Sequence, residues 1–305
     1  MSQDSKKRDK FSPLTIIMLV ILLFYCVALL AMLYWGLSQS FKSARAYTYD
    51  KISLPKKGTL SLANYVGVFK VMKADWIGDK SIDGSFSALM INTLFYAVGA
   101  AFVNVAVTCL VAYLTARYTY FYSKILYTIV VIVMVVPVVG AQASEVQMLR
   151  MIKLYDTRWG FLALKASFVG GVYFLVFHAA FEGIPDTYSE AAMMDGAGHW
   201  CIMLKICLPL VLNVFMTVFL ITFIQYWNDY NLPLIYMPHY PTLSRYIFYL
   251  GSTSSPIKAM GESLNANSKT VQLAGTFVLM LPVFTIFIFL HKRLMGNLSV
   301  GGIKG

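Results

Sequence analysis

Long apolar runs alternate with polar connections along this chain, and six of the runs approach the roughly 20 residues with which a helix crosses a hydrocarbon core. They extend from Pro13 to Trp35, Phe86 to Leu114, Ile125 to Ala141, Phe161 to Phe181, Ile206 to Tyr226 and Val271 to Leu290. Transmembrane β-strands read instead as alternating segments of about 10 residues. Inside a bilayer each run must satisfy its own backbone groups, so the pattern predicts an all-α integral membrane protein with six transmembrane helices. It divides the chain into an N-terminal segment and first helix (1–36), an extracytoplasmic segment (37–85) and a five-helix core (86–305), with an elaborate polar connection at 185–210.

Composition sharpens the picture. Of 305 residues 58% are hydrophobic and only 13% charged, against about 25% charged in soluble domains. The net charge of +11 is read as membrane-flanking charge and not as a nucleic-acid footprint. Lys6, Lys7, Arg8 and Lys10 precede the first run, and Ala44-Arg45-Ala46 follows it, as in a signal peptide. The apolar stretch exceeds a signal h-region of about 7 to 15 residues, which favours a retained anchor with a cytoplasmic N-terminus. Six crossings return the C-terminus, with His291, Lys292 and Arg293, to the cytoplasm. The positive-inside rule supports this only in part, because Lys and Arg between Gly36 and Gly84, partly offset by Asp50, Asp75, Asp79 and Asp83, fall on the outside, so the basic N-terminal cluster decides. Cys26, Cys109, Cys201 and Cys207 fall within spans or on the cytoplasmic side and suggest no disulfide framework.

Pro137 and Pro282 each remove a helical hydrogen bond; they mark either bends beside a pathway or kinks that fit the packing. Gly99, Ala100, Ala101, Gly170 and Gly171 permit close helix approach. Asn92, Asn104, His178 and Asn213 are polar positions in the spans and candidate cargo contacts, although cross-helix hydrogen bonding explains each as well. Asn228 and Asp229 join them where the fifth span meets the outside; the adjoining Tyr226, Trp227 and Tyr230 read first as interfacial anchors. Lys165, near the outer end of its run, reads as a snorkelling side chain. His178, His199, His239 and His291 show no metal-ligand spacing, so no metal is expected, and no catalytic constellation is present.

The connection "IPDTYSEAAMMDGAGHWCIMLKICLPL" is more specific. Pro185 ends one helix, and Thr187-x-x-Glu190 has the capping-box pattern of another. Gly196 and Gly198 interrupt it, and a second helical run from His199 leads through Pro209 into the fifth span. Glu190 and Asp195 have bland readings as a cap and a turn residue. Ala191 and Ala192, however, give a small-sided surface, and Met193 and Met194 are deformable apolar knobs suited to adaptable contact. The elbow therefore reads as a cytoplasmic docking surface for another protein.

Glu190, Ala191 and Ala192, then Gly196, then Ile206, Leu208 and Pro209 resemble the EAA signature of permease subunits in bacterial ABC importers. Asn92-Thr93, "AYLTARY" at Ala112 to Tyr118, "WND" at Trp227 to Asp229, "PTLSRYI" at Pro241 to Ile247 and the terminal "GNLSVGGIKG" resemble the maltose-permease-like carbohydrate branch. The chain departs from it at Asn213, where the family often has proline, at Lys165 and in the first outer segment.

The resemblance implies a type I ABC importer transmembrane domain that moves a sugar or oligosaccharide across the bacterial cytoplasmic membrane by alternating access. It implies a second, usually different permease subunit, two ATPase subunits, an extracytoplasmic solute-binding protein and a lipid environment. Glu190, Ala191, Ala192, Asp195, Gly196, Ile206, Leu208 and Pro209 would couple to the ATPase. No Gly-Lys dipeptide occurs, so no P-loop is possible; ATP and magnesium would be bound by the partners, and this chain would carry no cofactor and no enzymatic activity. An importer subunit for an amino acid, peptide or glycerol phosphate is the nearer rival. A secondary carrier or membrane enzyme is disfavoured, because the spans hold almost no Asp or Glu.

Overall fold

The computed structural model describes residues 13–56, 60–72, 82, 84–118, 120–136, 140–167, 171–252 and 268–295. The N-terminal basic cluster, Asp75, Asp79, Asp83, Pro137, Gly170 and the terminal "GNLSVGGIKG" lie outside them. In chain order the helices are α1 (Pro13–Ser40), α2 (Ala44–Tyr49), α3 (Ala63–Met72), α4 (Phe86–Arg117), α5 (Phe121–Val135), α6 (Ala141–Met151), α7 (Arg158–Lys165), α8 (Val172–Glu182), α9 (Thr187–Met194) and α10 (His199–Ile202). A π-helical turn, Met203–Cys207, leads to α11 (Leu208–Leu210), α12 (Leu212–Asn228), α13 (Asn231–Tyr236), α14 (Leu243–Ser252) and α15 (Ser268–Met295). Among the described residues the only β-type pairing is an isolated bridge between Lys42 and Leu60.

Helices α1 and α4 and the stretch Lys269–Ile288 of α15 are long and apolar enough to cross a membrane. The region of the expected fifth span, Ile206 to Tyr226, is divided between two helical pieces, His199–Leu210 and Leu212–Asn228, bent by 76°. The third and fourth runs depart from single long helices: α5 has 15 residues and α8 has 11. The fourth run is split, because Ala166 leaves the helical region after α7 and Gly171, at φ 56°, takes a backbone conformation open mainly to glycine. Gly171 thus breaks a helix where the sequence suggested close helix packing.

The chain forms two compact units, Met1–Val68 with Ser254–Phe277, and Phe69–Thr253 with Val278–Gly305. In the first, α1 exposes its apolar side chains along nearly its whole length, as a lipid-facing or partner-facing helix does. Its C-terminal end is tied down by polar bonds. Buried Lys42 donates to the carbonyls of Asp50 (2.5 Å) and Ser53 (3.0 Å), and buried Asn64 donates to those of Ser40 (2.7 Å) and Lys42 (2.9 Å). Asp50 accepts from the backbone N–H groups of Ile52 (3.1 Å) and Ser53 (3.0 Å). The Ser53 side chain and these N–H groups hold its carboxyl down at about 2.

The second unit is built on α4, which packs against α12, α8 and α7. Ala97, Ala100 and Ala101 are fully buried along it, where small side chains let backbones approach; a Cβ on Gly99 would come 3.1 Å from Leu162 Cδ2. A continuous apolar core joins Val105, Cys109 and Ala112 of α4 to Phe174, Phe177 and Phe181 of α8 and Val218 of α12. It also takes in Ala192, Ile202, Met203 and Cys207, so the polar connection of the sequence is packed against the helices.

Candidate functional site

The elbow begins where Gly183 closes α8 and Ile184 enters the core. Helix α9 starts at Thr187, as the sequence predicts, but the capping box does not form: Asp186 occupies the N-cap position and makes no side-chain cap bond. Its carboxylate is drawn instead to Arg117, 2.9 Å away. Thr187 is consequently the first helical residue, displaced by one from the capping register.

At the other end of α9 the chain reverses through Gly196, at φ 79°. The Gly196 N–H donates to Met193 O (3.0 Å) and the Ala197 N–H to Ala192 O (2.9 Å). These bonds make a Schellman motif, in which the residue after the cap needs left-handed backbone and a small apolar contact closes the turn. Ala192 and Ala197 supply that contact within the core. The spacing from the alanine pair to the glycine is thereby explained: Ala192 buries inward, while Glu190, Ala191, Met193, Met194, Asp195 and Gly196 face outward, Met194 at 89% exposure.

The second arm contains the I-x-L-P element. Pro209 has no N–H to give Lys205 O, and its ring crowds that carbonyl; the preceding turn widens into the π-helix, with Leu208 N–H bonded to Met203 O. Ile206 and Leu208 lie half-buried against the core and Pro209 is exposed. The run from His199 does lead toward the fifth span, but it turns by 76° before α12.

Two residues that the sequence reading did not single out hold this elbow. Arg117, in the last turn of α4 with its side chain only 8% exposed, donates to Ile184 O and Ser189 Oγ, both at 2.8 Å. Tyr118 places its hydroxyl 3.0 Å from His199 Nδ1. The available signal was a cation ending a predicted span within "AYLTARY", on the same expected side of the membrane as the connection carrying Asp186.

Each polar pathway candidate has neighbours within the fold. Asn92 donates to Pro241 O (3.1 Å) and accepts from Arg158 (2.7 Å). Asn104 makes a 3.5 Å bond to Lys165 O. His178 lies 4.8 Å from the Tyr127 ring and 3.7 Å from Glu182. Asn213 is exposed, and its carbonyl accepts from Thr217. Asn228 bonds back to Ile224 O (2.9 Å). Asp229 accepts from the Tyr96 hydroxyl (2.6 Å) and the N–H groups of Asn231 (2.9 Å) and Leu232 (3.2 Å).

Two readings are corrected. Trp227 is not an interfacial anchor: it is fully buried, and its indole donates to Leu279 O at 3.1 Å. Lys165 does not lie inside a continuous span, since α7 ends there; its ammonium is 5.2 Å from the Phe161 ring centre and 5.8 Å from that of Tyr226. The "PTLSRYI" segment is buried: Leu243 N–H donates to Thr93 Oγ1 (2.8 Å), and Arg245 donates to Pro238 O (2.8 Å). Tyr236 bonds Glu145; burial and that carboxylate push its phenol above the usual range.

The family described as "Binding-protein-dependent transport system inner membrane component" matches residues 109–298. This chain belongs to it. The match takes in the whole elbow of this inner membrane component, together with Arg117 and Tyr118, and leaves Asn92 and Asn104 outside. Over 301 residues it is 26% identical to the arabinooligosaccharides transport system permease protein of Bacillus subtilis, covering 96% of this chain and 95% of that one. Its fold is that of a chain in the crystal structure of a bacterial ABC transporter involved in the import of the acidic polysaccharide alginate, with TM-score 0.73, 22% identity and coverage of 91% and 95%. A second structure, of a bacterial alginate ABC transporter in complex with an alginate pentasaccharide-bound periplasmic protein, matches with TM-score 0.61 and 17% identity over 92% and 95%. The component is a multi-pass membrane transport subunit with the transmembrane fold of ABC importers.

Proposed function

We propose that this chain is a permease subunit of an ATP-driven importer for a sugar or oligosaccharide, working by alternating access. The elbow carries the proposal: a rigid helical hairpin, closed by the Schellman turn at Gly196, presents Glu190, Met193 and Met194 outward while Ala192 anchors it in the core. Such a body transmits force, which a solvated loop cannot. ATP and magnesium belong on partner ATPases that receive the elbow in a surface cleft. Glu190 orients α9, exposed Ala191 permits close approach, and Ile206, Leu208 and Pro209 carry the motion into α12.

The sugar cargo is supported by the arabinooligosaccharide permease and the alginate importer chain that this protein resembles. The periplasmic protein in the second alginate structure supports delivery by a solute-binding protein. A second permease subunit completes the pathway, and both termini lie in the cytoplasm, on the elbow's side.

The test is a pull-down in detergent from the native membrane, with and without Glu190→Lys. The expected outcome is co-purification of a second permease and an ATPase, with the ATPase lost in the variant. A chain that purifies alone refutes the reading.

A further inference from the structure

Arg117 ends α4 and Tyr118 caps it, yet their bonds fall on both arms of the elbow. Arg117 reaches Ile184 O (2.8 Å), Asp186 Oδ1 (2.9 Å) and Ser189 Oγ (2.8 Å), on the arm before the Gly196 turn. Tyr118 reaches His199 Nδ1 (3.0 Å), at the start of the arm after it. The Tyr118 ring also meets that of His199 edge-on, at 5.6 Å between centres, and that of Tyr113 at 5.9 Å. Tyr113 in turn packs on Phe181 of α8 at 5.4 Å.

The chemistry suits a clamp. A guanidinium is a planar fork with fixed donors and stays charged, so it can hold a carbonyl, a carboxylate and a hydroxyl at once. Its cation also sits in the last turn of α4, where the helix dipole favours it. The elbow's covalent continuation runs through α8 on one side and α12 on the other; α4 touches it only through space. Rotation of the elbow against α4 would break these bonds and uncover a nearly buried cation.

We propose that Arg117 and Tyr118 form a two-point clamp through which movement of the elbow is passed to α4, with Arg117 as the principal positioning residue. The proposal rests on the coupling role given above to the elbow. It makes α4 a third lever beside α8 and α12, reaching the helix that packs against both.

The test uses the importer complex purified with its ATPase. The chain carries Cys26→Ser and Cys201→Ser, and a spin label is placed at Phe102→Cys, an exposed position of α4 about 22 Å along the helix from Arg117. The probe is a non-hydrolysable ATP analogue with magnesium. In the parent complex the analogue should shift the label's spectrum. Arg117→Gln should still recover the ATPase but reduce the ratio of shifted to unshifted label about tenfold, the scale of one lost charge-assisted hydrogen bond; Arg117→Lys and Tyr118→Phe should fall between. An undiminished shift in Arg117→Gln overturns the clamp. Loss of the ATPase from both Arg117→Gln and Arg117→Lys also overturns it, because Arg117 would then only maintain the docking surface. Failure of the parent chain to recover any ATPase is seen before a variant is made, and it removes the coupling reading and this inference with it.

Discussion

Replacing Gly196 tests the elbow through one backbone angle. At φ 79° an L-residue is strained, by about 1 to 2 kcal/mol for left-handed backbone. A Cβ there meets nothing within 4 Å, so Gly196→Ala adds no clash and the whole penalty is conformational. It should lower the population of the closed turn by about 5- to 30-fold relative to open forms. Asparagine visits this region more readily, so Gly196→Asn should recover much of the loss although its side chain is larger. Gly196→Pro cannot reach φ 79° and also deletes the donor to Met193 O, a combined cost of about 3 kcal/mol or more. Membrane insertion, ATPase recovery and uptake are the readouts. The expected order of ATPase recovery is Gly, Asn, Ala, Pro, with insertion unchanged and transport abolished in Gly196→Pro. Recovery that tracked side-chain size, with Asn below Ala, would refute the backbone argument; normal uptake by Gly196→Pro would remove the elbow's coupling role.

Two further predictions concern stability. Trp227→Ala should cost about 3 to 5 kcal/mol through loss of a fully buried aromatic, while Trp227→Phe keeps most of the packing and loses mainly the 3.1 Å bond to Leu279 O, about 1 kcal/mol; thermal unfolding in detergent separates them. Because the Asp50 carboxyl is held at about 2, below its ordinary 3.8, its contribution to the order of residues 42–53 is present above the ordinary value and is lost as pH falls through the folded one. Protease protection of that segment should decline between those pH values, and Asp50→Asn should remove the dependence.

Hydropathy made the membrane class and the long helices α1, α4 and α15 legible, because lipid leaves a long apolar run little choice but helix. It did not reveal the split of the fourth run, which depends on the backbone of Gly171, or the 76° bend between His199–Leu210 and α12. The elbow was readable as two helices around Gly196, since turn chemistry is local. The missing capping box was not, because Asp186 is taken by Arg117, 69 residues earlier in the chain. Trp227 shows the same limit: an aromatic at the end of an apolar run looks like an interfacial anchor until its neighbour Leu279 is known. Polarity likewise flagged Asn92 and Asp229 without showing that their side chains are bonded into the fold by Pro241, Arg158 and Tyr96.

The inclusion of Ala192, Ile202, Met203 and Cys207 in the core of α4 and α8 bears on how this region unfolds. An ordinary surface loop opens locally at little cost and exchanges its amide hydrogens quickly. Here, lifting either arm away uncovers apolar surface shared with the bundle, so the turn and the bundle form one cooperative unit. The Gly196 and Ala197 amides should exchange with solvent at rates close to those of the α8 core amides, and should lose protection together with them as denaturant is added.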